Sequence, residues 1–319
     1  MVVLKKRLGG ASPPVKAGLL KKAVIRPTYS LPTAPKETCH NFLELAGLIY
    51  GRPGIGKTSF LASFPETLML SCERVSKGIS CFDFNAENGG VHKWEVFLAA
   101  IKLLEDTPGT FKTVGIDTID ALYNLCFAYV CKKFGIAHPQ DEAYGKAWDA
   151  IKQEFAGALD RLWATGRGVI FTSHAKESEV KSHSGETYSR ITPTMSNQAF
   201  GYIKAKTDYV FYAEYFRDTN GEPVRVLITS GDDLVEAKCP GGIPRFLPLD
   251  KKRGVDVVIE AFTGDDSNAL DINNLRAAKQ STKAGTQFIG KIRSEAITAK
   301  VHGTGKSGDV VRKVLRKVK

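Results

Sequence analysis

One stretch carries the strongest chemical signal in this chain. Gly51-Arg52-Pro53-Gly54-Ile55-Gly56-Lys57-Thr58 satisfies G-x-x-x-x-G-K-[ST] at every fixed position. Glycines there let successive backbone N–H groups curl around phosphate oxygens, where a Cβ would clash. Lys57 can place its ammonium on the β and γ phosphates. Thr58 opens a helix whose positive end faces the anion, and its hydroxyl can coordinate Mg²⁺. With Ser59 next in line, the stretch is expected to hold ATP and Mg²⁺. Two carboxylates are placed to act on such a ligand. Asp117 ends an apolar run and is expected to hold Mg²⁺ through water; the competing reading is a strand-end Asp or helix cap, a role open equally to Asp120. Glu73 ends another apolar run, where it can orient or deprotonate the attacking water. His174 follows the run Val169 to Ser173. Two readings of it stand side by side: contact with the γ-phosphate that reports its loss to the next loop, or a hydrogen-bonded strand-end histidine.

These residues do chemistry together only if strands and helices bring them to one edge. Leu45 to Tyr50 reads as a strand that enters the glycine loop, and Lys57 to Ser63 as the helix that leaves it. Thr67 to Cys72 and Lys112 to Ile116 are further short apolar runs, each followed by a helical pattern. Ala147 to Thr165 is amphipathic, with Trp148, Ile151, Phe155, Leu159 and Leu162 on one face; Gly166 and Gly168 stop it before Val169. Four apolar runs separated by helices imply a parallel sheet covered on both faces. Tyr188 to Thr194, Asp208 to Tyr215 and Pro223 to Thr229 read as added, partly antiparallel strands with one helix, Asn197 to Lys206, among them. Asp256 to Phe262 could close the domain as a helix. The expected fold class is therefore α/β, a mainly parallel sheet between helices with added C-terminal antiparallel strands.

Composition narrows the setting. With 319 residues, 43% of them apolar, the chain can bury a substantial core, which rules out disorder throughout. No run reaches the roughly 20 apolar residues of a membrane span, so no membrane partner is expected. Six cysteines without a C-x-x-C pair indicate neither a zinc site nor a disulfide framework, and favour a reducing compartment. The N-terminal stretch lacks the apolar core of a secretory signal; it is free of acids up to Lys36, but Lys outnumbers Arg and Ser is sparse, which speaks against a transit peptide. Charge is uneven: residues 1–40 hold eight basic side chains against one acidic (+7), residues 41–275 hold 25 against 31 (−6), and residues 276–319 hold 12 against two (+10). Three parts are expected: a basic, flexible arm (1–40), an ATPase domain (41–263) and a basic tail (264–319). The arms either keep the protein soluble or attract nucleic-acid phosphates through counterion release.

A carboxylate on the strand directly after the loop helix, with Thr118 rather than Glu following Asp117, resembles RecA and RadA-like ATPases more than AAA+ proteins. Leu48 to Thr58, Leu70-Ser71-Cys72-Glu73, Val114 to Asp120, Ala143 to Trp148 and Val169 to His174 together resemble the short RecA-like ATP-binding proteins of bacteriophages, some of which are single-strand annealing recombinases. The likeness runs from about Leu45 to Leu249. It implies a DNA-stimulated ATPase in the bacterial host cytoplasm, acting on single-stranded DNA as a homo-oligomeric ring or filament, with a single-stranded DNA-binding protein as a further partner. It assigns Lys57, Thr58, Glu73 and Asp117 the roles above and matches His174 to the family's strand-end histidine. It also places DNA contacts in the loops after the third and fourth strands, at residues 132–146 and 175–187. Ala237-Lys238 resembles the segment that RecA-like filaments insert into a neighbour's ATP site, although Cys239-Pro240-Gly241-Gly242 follow where the family often has Arg, and Arg245 is displaced. The alternative is an ATP-switched loader or adaptor for a helicase or another replication protein; a small-molecule phosphotransferase fits less well, since no acceptor-binding lid is visible.

Overall fold

Every second residue of the central strands goes to the same side of the sheet, and both sides are apolar. In the computed structural model, which describes residues 31, 33–35, 39, 41–74, 77–142, 145–181, 185–277 and 291, β1 (Gly47–Gly51), β2 (Thr67–Ser71) and β4 (Thr113–Asp117) are buried along their whole length. Leu48, Tyr50, Leu70, Ile116 and Phe171 face one core; Ile49, Met69, Ile170 and Phe211 face the other. A strand covered on both faces must be apolar at odd and even positions alike, hence the continuous runs in the sequence.

The sheet order is β3-β2-β4-β5-β1-β7-β8-β9, where β3 is Phe82–Asp83, β5 Gly168–Lys181, β7 Tyr209–Arg217, β8 Pro223–Ile228 and β9 Phe246–Pro248. The strands from β3 to β7 run parallel; β8 and β9 are antiparallel. Helices α2 (Trp94–Asp106), α3 (Ile119–Phe134), α4 (Lys146–Ala164) and α5 (Asn197–Lys206) line the first core, and α1 (Lys57–Ala62) and α6 (Asp256–Phe262) the second. This is an α/β architecture, mostly parallel with antiparallel strands at its C-terminal side. Among the described residues no helix is long and apolar enough to cross a membrane.

The structure differs from expectation in three places. The stretch 175–187, expected as a loop, is mostly strand: β5 runs on for 14 residues and its second half pairs antiparallel with β6 (Thr187–Pro193) as a hairpin. Its alternation of Lys and Glu with Ser and Val disguises it, because both faces of the hairpin remain partly open. Strands β3 and β9, two and three residues long, are too short to leave a period in the sequence. Packing also continues past residue 263: Ile272 and Leu275 are buried, and β10 (Arg276–Ala277) pairs with the end of β7.

The chain divides into two units, Met1–Thr38 and Cys39–Lys319. All the elements above belong to the second; in the first, residues 31 and 33–35 are described and form neither helix nor strand. The basic stretches 1–30 and 278–319 lie outside the described residues, apart from Lys291.

Arg167 holds the approach to β4. Its guanidinium donates to the carbonyls of Leu104, Thr107, Thr110 and Phe111, at 2.8 to 3.2 Å, and so caps the C-terminal end of α2 and the turn after it. Arg167→Met keeps the side-chain length and strands those carbonyls. We expect it to cost about 1–3 kcal/mol, read as a lower midpoint in urea with an unchanged slope.

Candidate nucleotide site

Four parallel strands end at the same edge, and their registers align the chemistry. Gly51 pairs with His174 and Ser71 with Asp117, so the glycine loop, Glu73, Asp117 and His174 converge where the strands stop. Glu73 is held there by the backbone, since Cys72 N and Glu73 N both donate to Asp117 O, at 2.7 and 3.3 Å. Burial, with the nearby carboxylates adding to it, pushes the Cys72 thiol far up, so it stays a neutral thiol.

The loop owes its shape to two kinds of glycine. At Gly51 a Cβ would lie 2.6 Å from Ala213 O, so the constraint is the close approach of β7; at Gly56 the backbone has φ 115°, which a side chain resists. The first N–H groups of α1 have no acceptor within the helix and are free for an anion. At six residues this helix is short, so the positive charge at the site comes mainly from Lys57 and the N–H groups. The loop is braced from β7 and β8: Tyr215 Oη donates to Gly54 O and Arg225 Nη1 to Ile55 O, both at 3.3 Å. Lys57 is buried, and its Nζ donates to Gly51 O and Arg52 O at 3.0 and 3.1 Å. Burial pulls this ammonium below the usual lysine range, while Asp117, Glu73 and Asp120 pull it back up.

The carboxylates are ordered by hydroxyls. Asp117 is buried; Thr58 Oγ1 donates to its Oδ2 at 2.8 Å, and Thr172 Oγ1 donates to Oδ1. Thr118 Oγ1 donates to Glu73 Oε1 at 2.7 Å, and His174 Nε2 lies 3.4 Å from the same oxygen. Glu73 Oε2 has no partner among the described residues. Asp120 takes no part in capping: Thr118 caps α3 through Ala121 N, while Asp120 accepts from Ser173 Oγ, His174 N and Thr194 Oγ1 at 2.7 to 3.0 Å. It thereby fixes the backbone at His174 and ties the end of β6 to it.

A cleft of about 700 Å³ opens over these groups, lined among others by Lys57, Thr58, Ser59, Glu73, Asp117 and His174. The residues fit a nucleoside triphosphate with Mg²⁺: a buried ammonium, a glycine loop with unspent N–H groups, and the Thr58–Asp117 pair as hard oxygen donors. No group of three or more His, Cys, Asp or Glu is arranged to hold a metal ion by itself among the described residues; Mg²⁺ at such sites takes one or two protein oxygens and otherwise phosphates and water. When bound, the ion would neutralise charge on the β and γ oxygens. Glu73 Oε2 would then be available to accept a proton from water, while Thr118 donates to the other oxygen.

Lys238 does not reach the cleft. Its ammonium donates to Lys204 O and Thr207 O at the end of α5, and burial lowers its pKa. Of the stretch 132–146, residues 132–134 end α3, Pro139–Asp141 form a single 3-10 turn and Lys146 begins α4; residues 143 and 144 lie outside the described residues, as do 182–184 with His183. Thr118, Thr172, Arg74 and Lys251 belong to the site but escaped the sequence reading. Thr172 left one signal, a polar residue inside an apolar run. Lys251, far along the chain, left none.

Strand, glycine loop, helix and the paired carboxylates define a P-loop NTPase. The chain belongs to the AAA domain family AAA_24, whose model matches residues 43–240. Over 131 residues it is 26% identical to the SPbeta prophage-derived uncharacterized protein YorG of Bacillus subtilis, an alignment that covers 40% of each chain. Among solved structures it is similar to the KaiC-like protein PH0186 of Pyrococcus horikoshii (15% identity, TM-score 0.35) and to the flagellar accessory protein FlaH of Methanocaldococcus jannaschii (11%, TM-score 0.33), in each case over 64% of this chain and 84% of the other.

Lys57→Ala should abolish ATP hydrolysis and most phosphate-dependent affinity, measured by phosphate release and nucleotide titration; near-normal turnover would remove the loop from the mechanism. Glu73→Gln should bind Mg²⁺-ATP normally and hydrolyse it about 10²- to 10⁴-fold more slowly in single turnover. Thr118→Val, which releases Glu73 without removing it, should give a smaller loss in the same assay.

Proposed function

We propose that this protein is an ATP-hydrolysing RecA-like enzyme that acts on single-stranded DNA in phage recombination, by annealing. The contact between Glu73 and His174 carries this reading. His174 is the last β5 residue paired with β1; from Ala175 the same strand becomes one arm of the β5–β6 hairpin. A change at the γ-phosphate that moves Glu73 or His174 therefore acts directly on the base of a surface element next to the cleft. In this reading Lys57 and Thr58 hold the triphosphate and its cation, Glu73 activates water, and His174 passes the state of the site to the hairpin, which touches the strand. Similarity to a prophage-derived protein supports the phage setting.

The two ends supply the electrostatics. The body between them is acidic, so long-range attraction to DNA falls to the basic stretches with balances of +7 and +10. Copies gathered on one strand would then assemble as a ring or filament.

Single-stranded DNA added to the purified full-length protein, with no other protein present, should raise its ATPase rate. Dependence on a protein partner instead would point to the loader or adaptor, and no response to either would refute a DNA-directed ATPase. Binding to a labelled oligonucleotide should weaken steeply with salt, the slope of log K against log salt changing by about −0.7 for each phosphate contacted. Anisotropy titrations at three salt concentrations read that slope; a flat response would leave the basic ends without a role in binding.

A further inference from the structure

The cleft holds more positive charge than the glycine loop provides. Besides Lys57 it is lined by Arg74, just after Glu73, and by Lys251. Neither Arg74 nor Lys251 makes a hydrogen bond or ion pair with any described residue. Lys251 comes from the connection between β9 and α6, a part of the chain with no nucleotide motif, and the local structure accounts for its position. Leu249 N donates to Arg225 O at 2.9 Å, which fixes one end of the connection to the strand that braces the loop. Asp250 Oδ1 accepts from Lys252 N and Arg253 N at 2.6 and 3.0 Å, and Gly254 N donates to Asp250 O at 3.1 Å, closing a tight turn. The other end is fastened to the loop helix: Val255 N donates to Ser63 Oγ at 2.8 Å. Gly254, at φ 52°, lies so close to Ser63 that a Cβ would be 2.2 Å from its side chain.

The turn thus presents three successive cations with different fates. Arg253 is spent on Glu260 and Asn268. Lys252 does not line the cleft. Lys251 lines it together with Ala62 and Ser63, beyond the first turn of α1, whereas Glu73 and His174 mark the place of the γ-phosphate. An exposed ammonium lining a cleft beside a buried lysine adds to the attraction for an anion bound there.

We propose that Lys251 is a second nucleotide-binding cation, which reaches from the β9–α6 turn of the same chain to the diphosphate part of the nucleotide. This assignment rests on nucleotide binding at the cleft. It makes the β9–α6 turn, outside the matched family region, a strap across the site, and it predicts that ADP and ATP feel Lys251 equally, because the group it contacts is common to both.

The test is calorimetric titration of the full-length protein with Mg²⁺-ADP and Mg²⁺-ATP. A partly exposed charge pair worth about 1 kcal/mol corresponds to about fivefold in Kd. Lys251→Ala should raise both constants by about that factor and flatten their salt dependence, Lys251→Arg should restore them, and Lys252→Ala should change neither. The thermal midpoint of Lys251→Ala should match wild type, since the side chain is exposed. Unchanged constants in Lys251→Ala, an equal loss in Lys252→Ala, or a loss confined to ATP would each overturn the assignment. Lys57→Ala separates the two readings: if it weakens binding while Lys251→Ala does not, only Lys251 is misassigned, and if neither does, nucleotide binding at this cleft fails with it.

Discussion

A single buried carboxylate organises the site. Asp117 accepts from Thr58 on the loop helix and from Thr172 on β5, while its backbone carbonyl accepts from Cys72 and Glu73 beyond β2. An anion taken out of water is costly unless each of its lone pairs is met, so these donors cannot drift independently. Through Asp117 the helix that carries Lys57, the strand end that carries Glu73 and the strand that leads to His174 keep one geometry. These hydrogen bonds link the groups of the site to one another.

A second polar network lies on the hairpin side. Tyr50, the residue before the glycine loop, donates from its buried hydroxyl to Glu236 O at 2.7 Å and reaches Ile191 O of β6 at 3.3 Å. The Glu236 side chain in turn holds Arg190 of β6, at 2.6 Å, and Lys204 of α5. The hairpin is thus tied to the nucleotide strand at two levels, by His174 and Asp120 at the cleft and by Tyr50 one residue deeper. Lys238, two residues past Glu236, closes the end of α5. Its use there gives this lysine a structural task within its own chain.

Much of the site was legible in the sequence because its parts are local. The spacing of Gly51 to Thr58 sets a loop whose chemistry needs no distant partner, and an apolar run ending in an acid is a strand-end carboxylate wherever the run is buried on both faces. Parallel strands of equal length bring such ends to one edge, so Glu73 and Asp117 could be placed from pattern alone. The amphipathic spacing of Trp148, Ile151, Phe155, Leu159 and Leu162 likewise located a helix found at Lys146–Ala164.

The tertiary structure decided what depends on partners remote in sequence. Thr118 turned out to hold Glu73, Thr172 to hold Asp117, and Asp120 to fix His174 instead of capping a helix; each choice depends on which strand lies alongside, which hydroxyl spacing does not encode. The first arm of the hairpin, 175–181, and the packing of Ile272 and Leu275 left no clear period, because a half-open strand and isolated apolar residues do not repeat at a fixed spacing, whereas the second arm is legible as the strand from Tyr188. Lys251 is the extreme case. The sequence alone determines that it is one of three successive basic residues; that it lines the cleft, while Arg253 is neutralised by Glu260, follows from the turn closed by Asp250 and from its fastening to Ser63.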